Sequence, residues 1–401
     1  MEITTQRVST LELILRWSST DARHTDRLYV RKVNFWRDIF PGEVRDDLMG
    51  KREGDVLTYD LLPGKIVPPF DEGNIFPLER LYFDSLFNRD RFVEPRFGRF
   101  YPKGMLKALP GIFRSNMEPF RCVGVDDASL MVDFNHPLSQ KDIGLTVLVR
   151  DVRQKLGELG GSCNDWLAAA ADGPGMQARW RGNPTDFFAD DPYRRPDESS
   201  DSLFYREPRF VTHVDDKALE VITGLYETLL APDMKVLDLM SSVKSHLPAR
   251  LTLRSVTGLG LNSEEMAQNR QLTSSVVHDV NEDPVLPFGD NEFDAVVCSV
   301  SIEYVIRPHE LYREVARVLR PGGPFIVTFS HRWFPPKVIR IWEELHEFER
   351  MGMVAEYFLR SGLFDGIETF SMRGLPRPEN DRYYPKVMVS DPVYAVWGRC
   401  L

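Results

Sequence analysis

Short apolar runs alternate with segments of helical periodicity from about residue 216 to the C-terminus. Each run has the length of a strand buried on both faces, and the runs cover residues 235–240, 254–258, 274–277, 293–300 and 324–329. Between the last two, Leu311, Val315 and Val318 recur at helical spacing after Pro308 and before a Pro-Gly-Gly stop. The alternation predicts an α/β domain with a mostly parallel sheet. Two further runs, 367–372 and 393–398, predict a terminal antiparallel hairpin.

Residues 1–155 have a different pattern, rich in β-branched and aromatic residues between short turns. The strand-like stretches, which predict a mainly-β α+β domain, are 11–17, 28–33, 56–62, 120–125, 130–134 and 145–152. Residues 156–215 are rich in Gly, Pro and acids, and seven acidic residues lie between Asp186 and Pro208 against three arginines. This composition predicts a linker or strap. The sequence therefore predicts three parts: 1–155, 156–215 and 216–401.

Composition narrows the class of protein. The formal net charge of −10 disfavours a nucleic-acid binder, which needs a basic surface to neutralise phosphates. The four cysteines form no C-x-x-C pair, and no acids and histidines have metal-ligand spacing, so no metal site is expected. The chain has neither a signal-peptide pattern nor an apolar run of about 20 residues. We therefore expect a soluble, reduced, cytoplasmic protein without a nucleic-acid or membrane partner.

The C-terminal part carries a family resemblance. The ordered motifs VLDLM, VTGLGLNSEEM, HDVNEDPVLPF, FDAVVCSVSIEYV and LYREVARVLRPGGPFIVTFS resemble those of class I S-adenosylmethionine (SAM)-dependent methyltransferases. The stretch FDAVVCS, followed by a helix and LRPGG, is the most specific part. The loop SSVKSHLP, preceded by FYREPRFVTHVDDKA, is similar to a methyltransferase type 11-like subgroup with an S-S-x-x-S-H-x-P loop. The resemblance implies a Rossmann-like fold, SAM as cofactor and methyl transfer.

The resemblance also implies the cofactor contacts, with two departures from the family pattern. The implied contacts are Asp238, Met240, Ser241, Ser242, Gly260, Asn262, Asp279, Val280 and Ser299. Glycines that usually follow the first strand are replaced near Met240, Ser242 and Lys244, so side chains there are expected to narrow the cofactor site unless the loop takes another path. Gly260 stands where the family places a ribose-binding acid, with Asn262 two residues on.

The loop side chains have two interpretations. Under the subgroup resemblance, Ser241, Ser242, Ser245 and His246 offer hydroxyls and an imidazole to the cofactor. Alternatively, the serines cap the next helix and His246 is a satisfied polar residue. Asp279 stands at the position where members of the family often have a residue that accepts a hydrogen bond from the adenine amino group.

Polar residues at the strand ends are candidates for catalysis, because methyl transfer needs alignment and a base for the acceptor. Glu303 and Tyr304 follow the fourth strand, and His331 follows the fifth. The free pKa of histidine lies near neutrality, so His331 is a candidate base. In the alternative interpretation, Glu303 and Tyr304 only begin a helix.

The N-terminal part resembles a second family. The run DIFPGEVRDDLMG, from Asp38, and the segment 100–152 with V-D-x-N-H-P-L at 132–138 resemble FKBP-type prolyl isomerases with an insert-in-flap chaperone domain. The resemblance implies a module that binds a peptide or protein partner. The leading hypothesis is a SAM-dependent methyltransferase of unassigned acceptor with this module. The alternatives are an isomerase or chaperone-like folding factor with a degenerate, non-catalytic methyltransferase domain, and an inactive partner-binding protein.

Overall fold

A computed structural model describes residues 1–87, 92–107, 109–157 and 161–401 of the protein. The chain forms two compact units. The first comprises Met1–Asp21, Val30–Asp190 and Leu345–Met353, and the second comprises Ala22–Tyr29, Asp191–Glu344 and Val354–Leu401. The predicted linker 156–215 is thus divided at Asp190 and Asp191, with residues 158–160 outside the described part.

The first unit contains mostly antiparallel strands. Its elements are β1 (Arg7–Ser18), the end of β2 (Arg23–Val33), α1 (Gly42–Leu48), β3 (Val56–Leu61), β4 (Ile75–Glu79), β5 (Phe100–Pro102), β6 (Pro119–Val125), β7 (Ser129–Asp133), β8 (Ile143–Gln154) and α2 (Trp166–Ala171), with 3₁₀ turns at Glu72–Asn74, Arg80–Tyr82 and Lys103–Met105. Strand β8 pairs with both β1 and β3, whereas β4, β7, β6 and β5 form a separate four-stranded sheet.

All six strand-like stretches of the first unit are strands, so that prediction is confirmed. The short strands β4 and β5 were missed, because three to five residues carry too little alternation to stand out. The four-stranded sheet is inserted in the chain between β3 and β8. The FKBP-like identity of this unit stays a prediction, and Ala108 of the segment that carries it lies outside the described residues.

The second unit is a Rossmann-like α/β sheet. Its elements are α3 (Asp201–Phe204), α4 (Asp216–Leu229), β9 (Lys235–Leu239), β10 (Ser255–Gly260), α5 (Ser263–Gln268), β11 (Ser274–Val277), β12 (Ala295–Ser299), a 3₁₀ turn (Ile302–Tyr304), α6 (Pro308–Val318), β13 (Pro324–Phe329), α7 (Arg340–Glu344), most of α8 (Glu347–Ser361), β14 (Phe364–Arg373) and β15 (Val393–Cys400). The strand order is β11-β10-β9-β12-β13-β15-β14, with the start of β2 beside β14.

The predicted strands of the second unit are confirmed, with β10 reaching two residues beyond its predicted end. The strands from β11 to β13 are parallel, and β15 is antiparallel to β13 and β14, which confirms the terminal hairpin. All six residues of β13 are buried, as a strand covered on both faces requires. Tyr226 of α4 packs in the core cluster on one side. Tyr312 of α6 and Phe358 of α8 pack against each other, with ring centroids 4.9 Å apart.

Candidate active site

A cavity opens at the carboxyl ends of the central strands of the second unit. The chain runs from β9 outward to β10 and β11 on one side and returns to β12 and β13 on the other. Open α/β sheets bind ligands at such a reversal of strand order. The cavity has an empty volume of about 940 Å³, part of it open to solvent. All nine predicted cofactor contacts line it: Asp238, Met240, Ser241, Ser242, Gly260, Asn262, Asp279, Val280 and Ser299.

The glycine-free loop after β9 follows a defined path. Met240 has φ +59° and His246 has φ +57°, a left-handed backbone that non-glycine residues rarely adopt. The loop is held by the N–H of Ser241, which donates to the carbonyl of Leu259 at 2.7 Å. The backbone therefore turns as a glycine would allow, although side chains occupy the loop. Strain of this kind concentrates at functional sites.

Gly260 explains how the loop fits. A Cβ built on Gly260 would lie 2.1 Å from the carbonyl oxygen of Ser241, which is backbone and cannot rotate away. An acid at this position, as the family resemblance leads one to expect, is therefore excluded by the path of the loop. The loop after β9 and the end of β10 therefore meet at one backbone contact, between the carbonyl of Ser241 and Gly260.

Asp238 at the end of β9 is buried beneath the loop. The hydroxyl of Ser241 donates to its Oδ2 at 2.5 Å, and Ser245 also supports the carboxylate. Burial outweighs these bonds and raises the pKa of Asp238 to about 6. The group therefore titrates close to neutral pH.

Asn262 is committed to local structure. Its Oδ1 caps α5 by accepting from the N–H groups of Glu264 and Glu265, both at 3.0 Å. Its Nδ2 donates to the carbonyls of Tyr205 and Arg206 at 3.0 and 3.2 Å. The amide thus ties the chain before α4 to α5, and its contact with a cofactor stays a prediction.

Glu265 is an acid that lines the same cavity as Gly260. Its Oε2 accepts from the hydroxyl of Ser242 at 2.6 Å, and its Oε1 accepts from the backbone N–H of Arg209 at 2.7 Å. It lines the cavity from the first turn of α5. Sequence reasoning missed it because only the residues directly after the strand were considered.

The other predicted cofactor contacts lie around β11 and β12. Asp279 accepts from the N–H of Asn281 at 2.9 Å and so stabilises its own turn. Ser299 shares a hydrogen bond of 2.6 Å with the hydroxyl of Tyr226. The next residue, Val300, has φ +50°, which is rare for a β-branched residue and places a third left-handed backbone on the cavity wall.

Of the three predicted catalytic residues, the structure brings only Tyr304 to the cavity. Its hydroxyl accepts from the N–H of Phe334 at 2.8 Å, and burial raises its pKa well above the ordinary value, so the phenol stays protonated. Tyr304 and Glu303 lie in a 3₁₀ turn that ends before α6 begins at Pro308. Glu303 is buried but does not line the cavity. His331 also lies off the lining, with Nε2 3.8 Å from Oδ1 of Asp391.

Sequence reasoning missed a second wall of the cavity. Residues 195–213, which we call the strap, contribute four residues to the lining: Asp201, Tyr205, Arg209 and His213. The motif FYREPRFVTHVDDKA was the available signal, although it carries no strand or helix periodicity. Burial lowers the pKa of His213.

A buried cation holds the strap. Lys337 is fully buried, and its Nζ donates to the carbonyl of Ser199 at 2.6 Å. The same atom lies 3.2 Å from a carboxylate oxygen of Asp197 and 3.3 Å from one of Asp201. Arg195 also donates to Asp201, at 2.8 Å. The N-terminal end of the strap is thereby fixed to the segment after β13.

His246 also lines the cavity, and one of its ring nitrogens makes no hydrogen bond among the described residues. Its Nδ1 is buried and has no hydrogen-bond partner among the described residues. Burial, with the nearby charges of Lys244 and His213, lowers its pKa to about 4. The imidazole is therefore neutral at physiological pH.

No group of three or more His, Cys, Asp or Glu residues that could hold a metal ion occurs in the described part of the chain. Within the same residues, no helix is both long enough and apolar enough to cross a bilayer.

The sequence model of the methyltransferase domain family matches residues 241–327. The chain is 36% identical over 104 residues to cycloartenol-C-24-methyltransferase 1 of Oryza sativa subsp. japonica, covering 24% of this chain and 30% of the relative. It is 34% identical over 77 residues to demethylmenaquinone methyltransferase of Paenarthrobacter aurescens, covering 19% and 25%. The chain thus spans less than a third of the length of these relatives. A solved SAM-dependent methyltransferase from Aquifex aeolicus is 14% identical, with a TM-score of 0.31, over 47% of this chain and 92% of that one.

Proposed function

We propose that the protein transfers the methyl group of SAM to an acceptor, on the basis of the methyltransferase domain model that matches residues 241–327 and the Rossmann-like sheet around them. The acceptor binds in the cavity at the carboxyl ends of β9 to β12. One observation carries the proposal: nine residues chosen from sequence, spread from Asp238 to Ser299, line one cavity at the reversal of strand order.

The cavity residues fit the cofactor. Bound SAM would supply a methyl group already activated on a sulfonium, so the protein has to bind, orient and desolvate the reactants. Glu265 and Ser242 beside Gly260 would hold the ribose hydroxyls, and Asp279 with Val280 would hold the adenine. Asp238 and the loop after it would hold the methionine portion.

His246 is the residue that we assign to proton removal from the acceptor. Its Nδ1 is buried in the cavity wall without a partner, and its imidazole is neutral at physiological pH. A neutral imidazole can take one proton on its unprotonated nitrogen while the acceptor is methylated. Tyr304 remains a neutral phenol and can orient the acceptor by a hydrogen bond.

Calorimetric titration with S-adenosylhomocysteine (SAH) tests cofactor binding without knowledge of the acceptor. We expect wild-type protein to bind SAH and Asp279→Ala to bind it about tenfold or more weakly, a difference of about 1.4 kcal/mol. The matched control is His331→Ala, which changes a residue off the cavity lining and should leave SAH affinity unchanged. Absence of SAH and SAM binding at millimolar concentrations would rule out the methyltransferase proposal.

A second candidate function is peptide binding by the N-terminal unit. Five large apolar side chains around its four-stranded sheet are more than half exposed: Leu81, Leu86, Phe92, Phe113 and Met117. Hydrogen bonds tie their segments together, since Val93 donates to Ser85 and Arg114 donates to Phe87. Exposed apolar clusters mark interaction sites. We propose that these five side chains, which we call the apolar cluster, form the surface of a module that binds unfolded chains.

The full-length chain can be tested for this activity in two assays. We expect it to suppress aggregation of an unfolded client, and Phe92→Ser with Phe113→Ser to reduce the effect. A proline-limited refolding assay would reveal isomerase activity separately. If the double variant protects the client as well as wild type does, the apolar cluster is not the binding surface.

A further inference from the structure

We infer that the strap makes the acceptor half of the cavity, in which the guanidinium of Arg209 binds an anionic group of the methyl acceptor. This inference rests on the methyltransferase proposal and adds a substrate class to it: a flat, unsaturated acceptor that carries a negative charge. Three observations carry it, namely a half-buried cation without an ion pair, the aromatic walls around it, and its side of the cavity.

The first observation is that Arg209 has no counter-charge. Its Nη1 is buried and has no hydrogen-bond partner, whereas its Nη2 donates to the carbonyl of Phe204 at 2.9 Å. No carboxylate among the described residues lies within 4.0 Å of the guanidinium. Arg209 is half-buried, lies on the cavity wall and makes no ion pair among the described residues, so a ligand in the cavity can supply the opposite charge.

The nearby acids are already occupied. Glu265 accepts from Ser242 and from the backbone N–H of Arg209 rather than from its side chain. Asp201 is bound by Arg195, Lys337 and Asn281. Arg209 and Lys244 are thus the lysine and arginine residues of the cavity lining, and Arg209 is the one whose guanidinium lies among aromatic rings.

The second observation is the set of rings around the guanidinium. Its carbon lies 4.4 Å from the ring centroid of Phe204, 5.3 Å from that of Tyr205 and 5.4 Å from that of Phe334. Phe334 in turn stacks on Tyr304 with centroids 6.1 Å apart and planes at 29°. Flat apolar walls next to a cation select a planar body that ends in an anionic group.

The third observation is the side of the cavity on which these rings lie. Tyr304 follows β12 and Phe334 follows β13, whereas the predicted ribose and adenine contacts follow β10 and β11 on the other side of β9. The backbone N–H of Arg209 donates to Glu265 on the cofactor side, whereas its guanidinium carbon lies 5.4 Å from the ring of Phe334, so the side chain faces the half that we assign to the acceptor. The alternative role for Arg209, binding the carboxylate of the cofactor, is separated from this one by the experiment below.

Three small probes, each a benzene ring with one polar group, test the subsite in the intact protein, whose cofactor site is filled with saturating SAH. Benzoate and phenyl phosphate carry an anionic group, and benzamide is the neutral match for benzoate. We expect ligand-observed NMR titration to show binding of at least one anion and weaker binding of benzamide. Arg209→Met keeps an apolar stem between the rings and should weaken the anion about tenfold or more, because a hydrogen bond to a charged group is lost. The matched control is Arg206→Met, an exposed residue of the strap that should leave binding unchanged.

Four results would overturn the inference. Equal affinity for benzamide and the anions would show that the subsite does not select a negative charge. Binding of none of the three probes would exclude this acceptor class. Unchanged anion binding with a lower melting temperature in Arg209→Met would identify a structural role. Loss of SAH affinity with retained affinity for methylthioadenosine, which lacks the amino acid, would assign Arg209 to the cofactor carboxylate. Failure of the methyltransferase proposal itself would appear separately, as absent SAH binding in wild-type protein.

Discussion

Gly260→Ala is the sharpest test of the contact between the loop after β9 and the end of β10. The added Cβ would lie 2.1 Å from the carbonyl oxygen of Ser241, and real Cβ atoms are essentially never closer than 3.0 Å to such an atom. The loop backbone would therefore have to move by about 0.9 Å. No side chain can absorb this change.

The size of the effect follows from what holds the loop. The N–H of Ser241 donates to Leu259 at 2.7 Å, and the preceding Met240 already has φ +59°. A shift of the loop strains both. Overpacking of this kind costs about 1–3 kcal/mol of unfolding free energy. Since 1 kcal/mol shifts the melting temperature of a domain of 150–250 residues by about 2–4 °C, we expect a decrease of about 2–12 °C.

Scanning calorimetry and SAH titration measure the two consequences. Because the displaced atoms line the cavity, SAH affinity should also fall, by about tenfold or more. The matched control is Gly224→Ala in the middle of α4, where an added Cβ meets nothing within 4 Å. That variant should gain about 0.5–1 kcal/mol from the better helix propensity of alanine, with unchanged SAH affinity.

The reasoning is refuted if Gly260→Ala has the melting temperature and the SAH affinity of the wild-type protein. Such a result would mean that the carbonyl of Ser241 does not occupy the space beside Gly260. The loop would then follow another path, and the glycine at this position would need a different explanation.

Two further predictions concern buried charges. Lys337→Met removes the hydrogen bonds from Nζ to the strap, while Arg195 still pairs Asp201, so urea denaturation should show a loss of about 1–3 kcal/mol, whereas the exposed Lys386→Met should change little. A loss of the same size in both variants would contradict the anchoring role of Lys337. Folding raises the pKa of Asp238 from 3.8 to about 6, so the native state holds a proton that the unfolded state releases, and stability falls as pH rises through this window. The melting temperature of Asp238→Asn relative to wild type should therefore increase from about pH 4 to pH 7, and a constant difference would show that burial does not shift this group.

The strands of the second unit could be predicted because each combines length, apolar content and clear punctuation. β13 is buried at all six positions, so its sequence is uniformly apolar, and Pro308 marks the start of the preceding helix. Once the strand order is known, the residues after each strand meet at one edge of the sheet. This geometry is why nine residues from separate motifs could be assigned to one cavity before any distance was known.

The direction of a side chain after a strand could not be predicted in the same way. His331 follows β13 as expected, but Ser330 donates to the carbonyl of Pro392 at 2.6 Å, and His331 lies beside Asp391. Tyr304 and Glu303 are neighbours in one turn, yet only Tyr304 reaches the cavity. Such outcomes depend on contacts distant in sequence. The strap was missed for a related reason, since Tyr205 and Arg209 lie in a segment without periodicity.

The two departures of this chain from the usual methyltransferase pattern are dependent on each other. A loop without glycines after β9 suggests by itself a lost cofactor site, and so does Gly260 in place of an acid. The structure connects them, because the backbone carbonyl of Ser241 in this loop lies where any side chain at position 260 would begin. Glu265 is the acid that we propose in place of the one absent from position 260, and its Oε2 accepts from the hydroxyl of Ser242 in the same loop. The departures therefore count as one altered arrangement that keeps hydroxyl and carboxylate groups on the cavity wall, and they do not argue twice for loss of function.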